Sequence, residues 1–184
     1  MIKRGRSRRA LITLSAVLAV AACTGGNPIA APTTTTAPAP TTTTTVQTLA
    51  QKQAAQAGDT VVAFWSLLDK LSQGETESLT ELTTVARARS LSRSRELILD
   101  RRRKGWRKVG DTAVEVTTVT PAASGRYSVT VCLDLENTDF VDKDGKSVLP
   151  KDRQTHDEDQ YTVELTDAGG FVVDQRIDRK AIPC

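Results

Sequence analysis

Aromatic residues are scarce in this 184-residue chain: two Trp, two Tyr and three Phe, 4% in all. A surface that stacks successive bases needs such rings, so the composition argues against nucleic-acid binding. Histidine is rarer still, with His156 alone, and the only cysteines are Cys23, Cys132 and Cys184. A zinc site draws on several His or Cys at ligand spacing, and no such set is present. There is no glycine-rich phosphate loop and no Ser or Cys nucleophile with an identifiable base. These absences exclude the common nucleotide-dependent and nucleophilic enzyme classes, and they imply no cofactor and no metal.

Long apolar runs are missing as well. A membrane-spanning helix needs ~20 apolar residues, whereas the longest such stretch here, residues 10–22, has 13. It follows a basic segment (Lys3, Arg4, Arg6, Arg8, Arg9) with no acid in residues 1–22. A charged start, a short apolar run and small residues at its end form an export signal. Val20-Ala21-Ala22-Cys23 resembles the bacterial lipobox, which implies that Cys23 is acylated and residues 1–22 are removed. The alternative is ordinary cleavage near Ala21 and free secretion. Removing residues 1–22 changes the net charge from +3 to −2, so the mature chain is not basic.

Residues 23–46 contain two threonine runs and four of the seven prolines, with no charge and no periodicity. Such a segment cannot bury enough apolar surface to offset its ordering entropy, so a disordered tether is expected. Its length corresponds to roughly 27 Å as a coil and about 70 Å as polyproline II. Thr/Pro tracts of this type are also potential O-glycosylation stalks.

The composition of residues 47–184 is that of one folded domain. Gln47–Ala57 reads as a helical lead-in. Gly58-Asp59 offers an N-cap for a helix with Val61, Phe64, Trp65, Leu68 and Leu71 on one stripe and Gly74 as its stop. A short helix is expected over residues 77–83. A third is expected over 84–104, with Val85, Ala88, Leu91 and Ile98 inward. Beyond Gly110 the period becomes two. Strands are expected over 113–120, 126–135, 160–166 and 171–177, the last two joined by Asp167-Ala168-Gly169-Gly170 as a hairpin turn. Helices followed by about four antiparallel strands make an α+β fold rather than a parallel nucleotide-binding sheet.

This order resembles the NTF2-like, cone-shaped α+β superfamily, in which helices pack on a curved antiparallel sheet. Tyr127-Ser-Val129-Thr-Val131-Cys132-Leu-Asp134, Val141-Asp142-Lys-Asp144-Gly145, Tyr161-Thr-Val163-Glu-Leu165 and Gly170-Phe171-Val-Val-Asp174 also resemble a group of actinobacterial envelope lipoproteins with that fold. The resemblance implies a small domain outside the membrane, sometimes dimerised through its sheet. It does not select an activity, because the superfamily holds isomerases, dehydratases and non-catalytic binding domains.

In an exported domain the two remaining thiols, Cys132 and Cys184, are expected to pair; two free thiols are the alternative. Residues 87–108 carry ten basic side chains against Glu96 and Asp100. Within them, Arg101, Arg102, Arg103, Lys104, Arg107 and Lys108, with Trp106 as an interfacial anchor, form a candidate contact for anionic lipid or an acidic envelope polymer. The alternative is a solvated helix face paired with the acidic remainder of the domain. Asp142-Lys-Asp144-Gly145 fails as an EF-hand, since Phe140 and Lys151 would occupy ligand positions, and reads as a turn. His156, in Gln154-Thr-His-Asp-Glu-Asp159, is expected on an exposed strand or loop. Asp134 is expected to point away from Val131 and Leu133.

The resulting expectation is a membrane-anchored extracytoplasmic lipoprotein with a non-catalytic role, binding an envelope protein or an apolar ligand. The alternatives are a cone-fold enzyme with an inward carboxylate or His, and a prophage-encoded surface exclusion lipoprotein.

Overall fold

The computed structural model describes residues 47–74 and 78–184. The export signal, Cys23 and the Thr/Pro tether lie outside the described residues. One compact unit, Thr44–Cys184, holds the whole hydrophobic core, whose buried members run from Ala57 to Val173.

Helix α1 spans Leu49–Gln73 without interruption. Thr48 caps it: its side chain accepts from the Gln51 N–H while Gln51 returns a bond to the Thr48 N–H, a reciprocal capping box. Gly74 ends it in the left-handed conformation, as its position predicts. Gly58-Asp59 does not start a helix but lies inside α1. Gly58 is buried and faces β2, where a Cβ would meet the Val116 and Val119 methyls at 3.4–3.6 Å, an ordinary contact.

A 3-10 helix, Thr80–Thr84, replaces the expected second helix, and α2 spans Ala88–Arg103. The segment between them lies along the sheet edge. Arg87 N–H donates to the Val173 carbonyl at 3.0 Å and Val173 N–H to Val85 at 2.8 Å. The Arg87 guanidinium joins Glu164 and Asp174 in ion pairs, which fixes the start of α2 on the last strand.

The strands are β1 (Arg107–Val109), β2 (Ala113–Pro121), β3 (Arg126–Asp134), β4 (Asp139–Val141), β5 (His156–Leu165) and β6 (Phe171–Ile182). An antiparallel sheet runs β2-β3-β5-β6, and β1 pairs with β4 separately. Register shifts at Val116/Thr118 in β2 and at two places between β5 and β6 bend the sheet, as bulges do. Strand alternation puts Tyr127, Val129, Val131 and Leu133 on the helix-facing side, where they meet Val61, Phe64, Tyr161, Val163 and Val173. The helices lie on this one face, and the fold is the expected α+β arrangement of helices packed on a curved antiparallel sheet.

The short β1 and β4 were not visible as strands in the sequence, because three residues are too few to show alternation. They belong to a close approach at Gly110, where φ is +76° and a Cβ would collide with the Asn137 carbonyl.

Candidate functional site

α2 turns a different line inward than its apolar residues suggest. Ser90, Ser94 and Ile98 are buried, Leu91 is half-buried, and Ala88 is exposed. Ser90 and Ser94 are too small to fill the space between α2 and the sheet. A cavity of about 350 Å³ remains there, in the range typical of small-molecule sites. Phe64, Trp65 and Leu68 of α1, Leu133 of β3 and Tyr161 of β5 contribute its apolar walls.

Two polar clusters adjoin this cavity. In the first, Asp69 of α1 and Lys108 of β1 form a buried ion pair, each side chain 5% exposed. Lys108 also donates to Thr112 Oγ1 at 2.6 Å, and the Thr112 N–H donates to Asp69 Oδ2 at 2.6 Å. Burial pushes the Lys108 ammonium pKa down, and the Asp69 carboxylate opposes that shift.

The second cluster runs across the sheet. Trp65 Nε1 donates to the Tyr161 hydroxyl at 2.9 Å, and Tyr161 donates to Asp159 Oδ2 at 3.0 Å. Arg176 completes it with a 2.8 Å bond to Asp159 Oδ1. Burial, then the Asp159 charge, raises the Tyr161 pKa and keeps the phenol a donor. Asp69 and Asp159 are thus each compensated by a cation. Asp157 differs: its Oδ1 is buried with no hydrogen-bond partner at the cavity wall, as is Ser90 Oγ.

The basic segment does not stay together as one surface. Lys108 is corrected outright: it is buried against Asp69, so it is no contact for an anionic surface. Arg101 is half-buried, with its guanidinium 3.8 Å from the Phe140 ring centre, and it lines the cavity. Arg102 donates to the Leu71 carbonyl at 3.0 Å. Arg103 and Lys104 pair with Asp100 at 3.4 and 2.7 Å, and Lys104 lies over the half-buried Trp106 ring. Arg107 is exposed on β1.

Cys132 and Cys184 are joined by a disulfide, with Cα atoms 5.9 Å apart. Cys132 lies on the sheet face opposite Val131 and Leu133, as does half-buried Asp134. His156 is the first residue of β5, half-buried and 3.7 Å from Asp134, on the face away from the cavity. Asp142 forms a turn, its Oδ1 accepting from the N–H groups of Asp144 and Lys146 at 2.9 Å. Asp157 and Asp159 were missed by the sequence reading, which took their polar run as solvated. The available signal was their alternation in register with Tyr161 and Val163.

No family model matches the chain, and no curated protein matches it. Among solved structures, it is similar to the intermembrane space region of the chloroplast protein ARC6, with 18% identity and a TM-score of 0.52 over 71% of this chain and 97% of that one. It also aligns with a ketosteroid isomerase-like protein from Erwinia carotovora atroseptica at 11% identity and a TM-score of 0.42, covering 70% of this chain and 98% of that one. Likeness at these identities is a likeness of fold, and a fold does not choose an activity.

Proposed function

We propose that the chain is an exported lipoprotein, acylated at Cys23 and held on the outer face of a bacterial cell membrane, whose domain binds a ligand or envelope partner without catalysing a reaction. The observation that supports binding is the open cavity between α2 and the sheet, with the nearby Asp69 and Asp159 held in ion pairs. A carboxylate compensated by a fixed cation is a weak proton acceptor, so these two suit shaping the pocket better than acid–base chemistry. The anchor rests on the lipobox-like Val20–Cys23 and on acyl chains giving stable attachment at about 0.8 kcal/mol per buried methylene. Cys23→Ala is expected to move the protein from the membrane fraction to the medium; a mutant that still sediments with membranes overturns the anchoring.

One observation favours a second reading, a small isomerase- or dehydratase-like enzyme. Asp157 Oδ1 is buried at the cavity with no partner, where a general base could sit. Conversion of a bound ligand by the wild-type chain, abolished in Asp157→Asn, would replace the binding role with that one.

A further inference from the structure

The cavity has a direction. α2 lines it from Ser90 through Ser94, Leu97 and Ile98 to Arg101. At 1.5 Å per helical residue this wall is about 16 Å long. Its middle is apolar, with Leu97 and Ile98 facing Phe64, Leu68 and Leu133. An elongated apolar body fits such a shape better than a compact polar one.

Charge lines the cavity along its length, and Arg101 marks one end of the α2 wall. Among the described residues Arg101 has no carboxylate within ion-pair distance; Asp100 acts on it only from farther away, and burial lowers its pKa. Its guanidinium lies against the Phe140 ring instead. Arg153 lines the same cavity and uses Nη2 to hold the Leu135 and Thr138 carbonyls, the former at 2.8 Å, with no carboxylate bond. Of the cations that line the cavity, Lys108 and Arg176 are paired with Asp69 and Asp159, whereas Arg101 and Arg153 are not held by carboxylates. A half-buried cation without a counterion is costly, and an anion placed beside it removes that cost. Ser90 Oγ, in a residue only 4% exposed, and Asp157 Oδ1 are the buried polar atoms of the wall left without partners.

We propose that the cavity binds a single-chain anionic amphiphile, its acyl chain along α2 and its carboxylate or phosphate head held by Arg101 and Arg153. This rests on the binding role proposed above. A fatty carboxylate and a monoacyl glycerophosphate share the chemistry. They differ in that the second carries a hydroxyl, which Asp157 Oδ1 can accept from.

The domain contains its own core and disulfide, so residues 24–184, lacking the lipidated cysteine, serve as the test protein. Calorimetric titration below micelle-forming concentrations would compare dodecanoate, dodecanoyl lysophosphatidate, dodecanol and dodecyltrimethylammonium. The two anions are expected to bind at least about tenfold more tightly than dodecanol, with the cation weakest. Lysophosphatidate binding tighter than that of dodecanoate, with the difference lost in Asp157→Ala, assigns the glycerophosphate, and equal binding of the two anions assigns the plain fatty acid. Arg101→Gln is expected to reduce anion binding about tenfold and leave dodecanol unchanged. Leu97→Glu, at a residue 46% exposed on the cavity wall, is expected to weaken the anions and dodecanol alike without disturbing the core. Equal binding of dodecanol and dodecanoate, insensitive to Arg101→Gln, overturns the anionic head and leaves the binding role standing. Failure of all four probes to bind a folded domain overturns the inference and removes the cavity as support for that role.

Discussion

Substituting Lys108 by Met separates two descriptions of the basic segment. On a solvated helix face the change would stay within about 0.5 kcal/mol. The structure instead buries Lys108 against Asp69, with both side chains 5% exposed, and ties them through Thr112 to the turn before β2. Met matches the length of the lysine stem, so little volume is lost and the effect is mainly electrostatic. Removing one partner of a buried pair leaves the other charge uncompensated, which costs about 3–5 kcal/mol. With a urea m-value of about 2 kcal/mol/M, the unfolding midpoint should fall by roughly 1.5–2.5 M. The double variant Asp69→Leu/Lys108→Met should recover most of that loss, because two apolar groups replace two charges. It should not recover all of it, since the Thr112 N–H loses its acceptor and an unmade buried hydrogen bond costs about 1–3 kcal/mol. Urea titrations of the wild type, both single variants and the double variant give the coupling directly. A midpoint shift below about 0.3 M for Lys108→Met would refute the buried pair and return Lys108 to the surface.

Two further perturbations address the disulfide and the Arg87 ion pair. Cys184→Ser opens a disulfide that links residues 52 apart; the chain-entropy estimate is about 4 kcal/mol of lost stability, measurable as a lower denaturation midpoint, and an unchanged midpoint would show that the bridge adds nothing. Glu164 is held below the usual carboxylate range by its hydrogen bond to Arg87, so it contributes stability above the ordinary glutamate pKa that is lost as pH falls through its folded-state value. Thermal melts from neutral to acid pH should therefore fall less steeply for Glu164→Gln than for the wild type; parallel curves would contradict this.

Much of the fold was legible because local and global signals agree. The stripe from Val61 to Leu71, the stop at Gly74 and the alternation of Tyr127, Val129, Val131 and Leu133 each reflect one face packed on one core. The site was harder to read, because its polar groups are buried by partners far away in the chain. Asp69 meets Lys108 across 39 positions, and Trp65 meets Tyr161 across 96. A run such as Gln154–Asp159 looks solvated when counted residue by residue, yet on β5 Asp157 and Asp159 share the inward face of Tyr161. Gly58 misled for a different reason, since the helix starts nine residues earlier at the capping box of Thr48 and Gln51 and simply runs through it. The inward serines of α2 were invisible as a site because their consequence is the space they leave.

The two indoles of the chain occupy contrasting surroundings. Trp65 forms part of the cavity wall with its N–H fixed on a phenol, whereas Trp106 stacks beneath an ammonium group elsewhere. Intrinsic emission therefore divides into a component sensitive to occupancy and an internal reference. The molecule carries its own optical reporter, and filling of the cavity can be followed without attaching a dye.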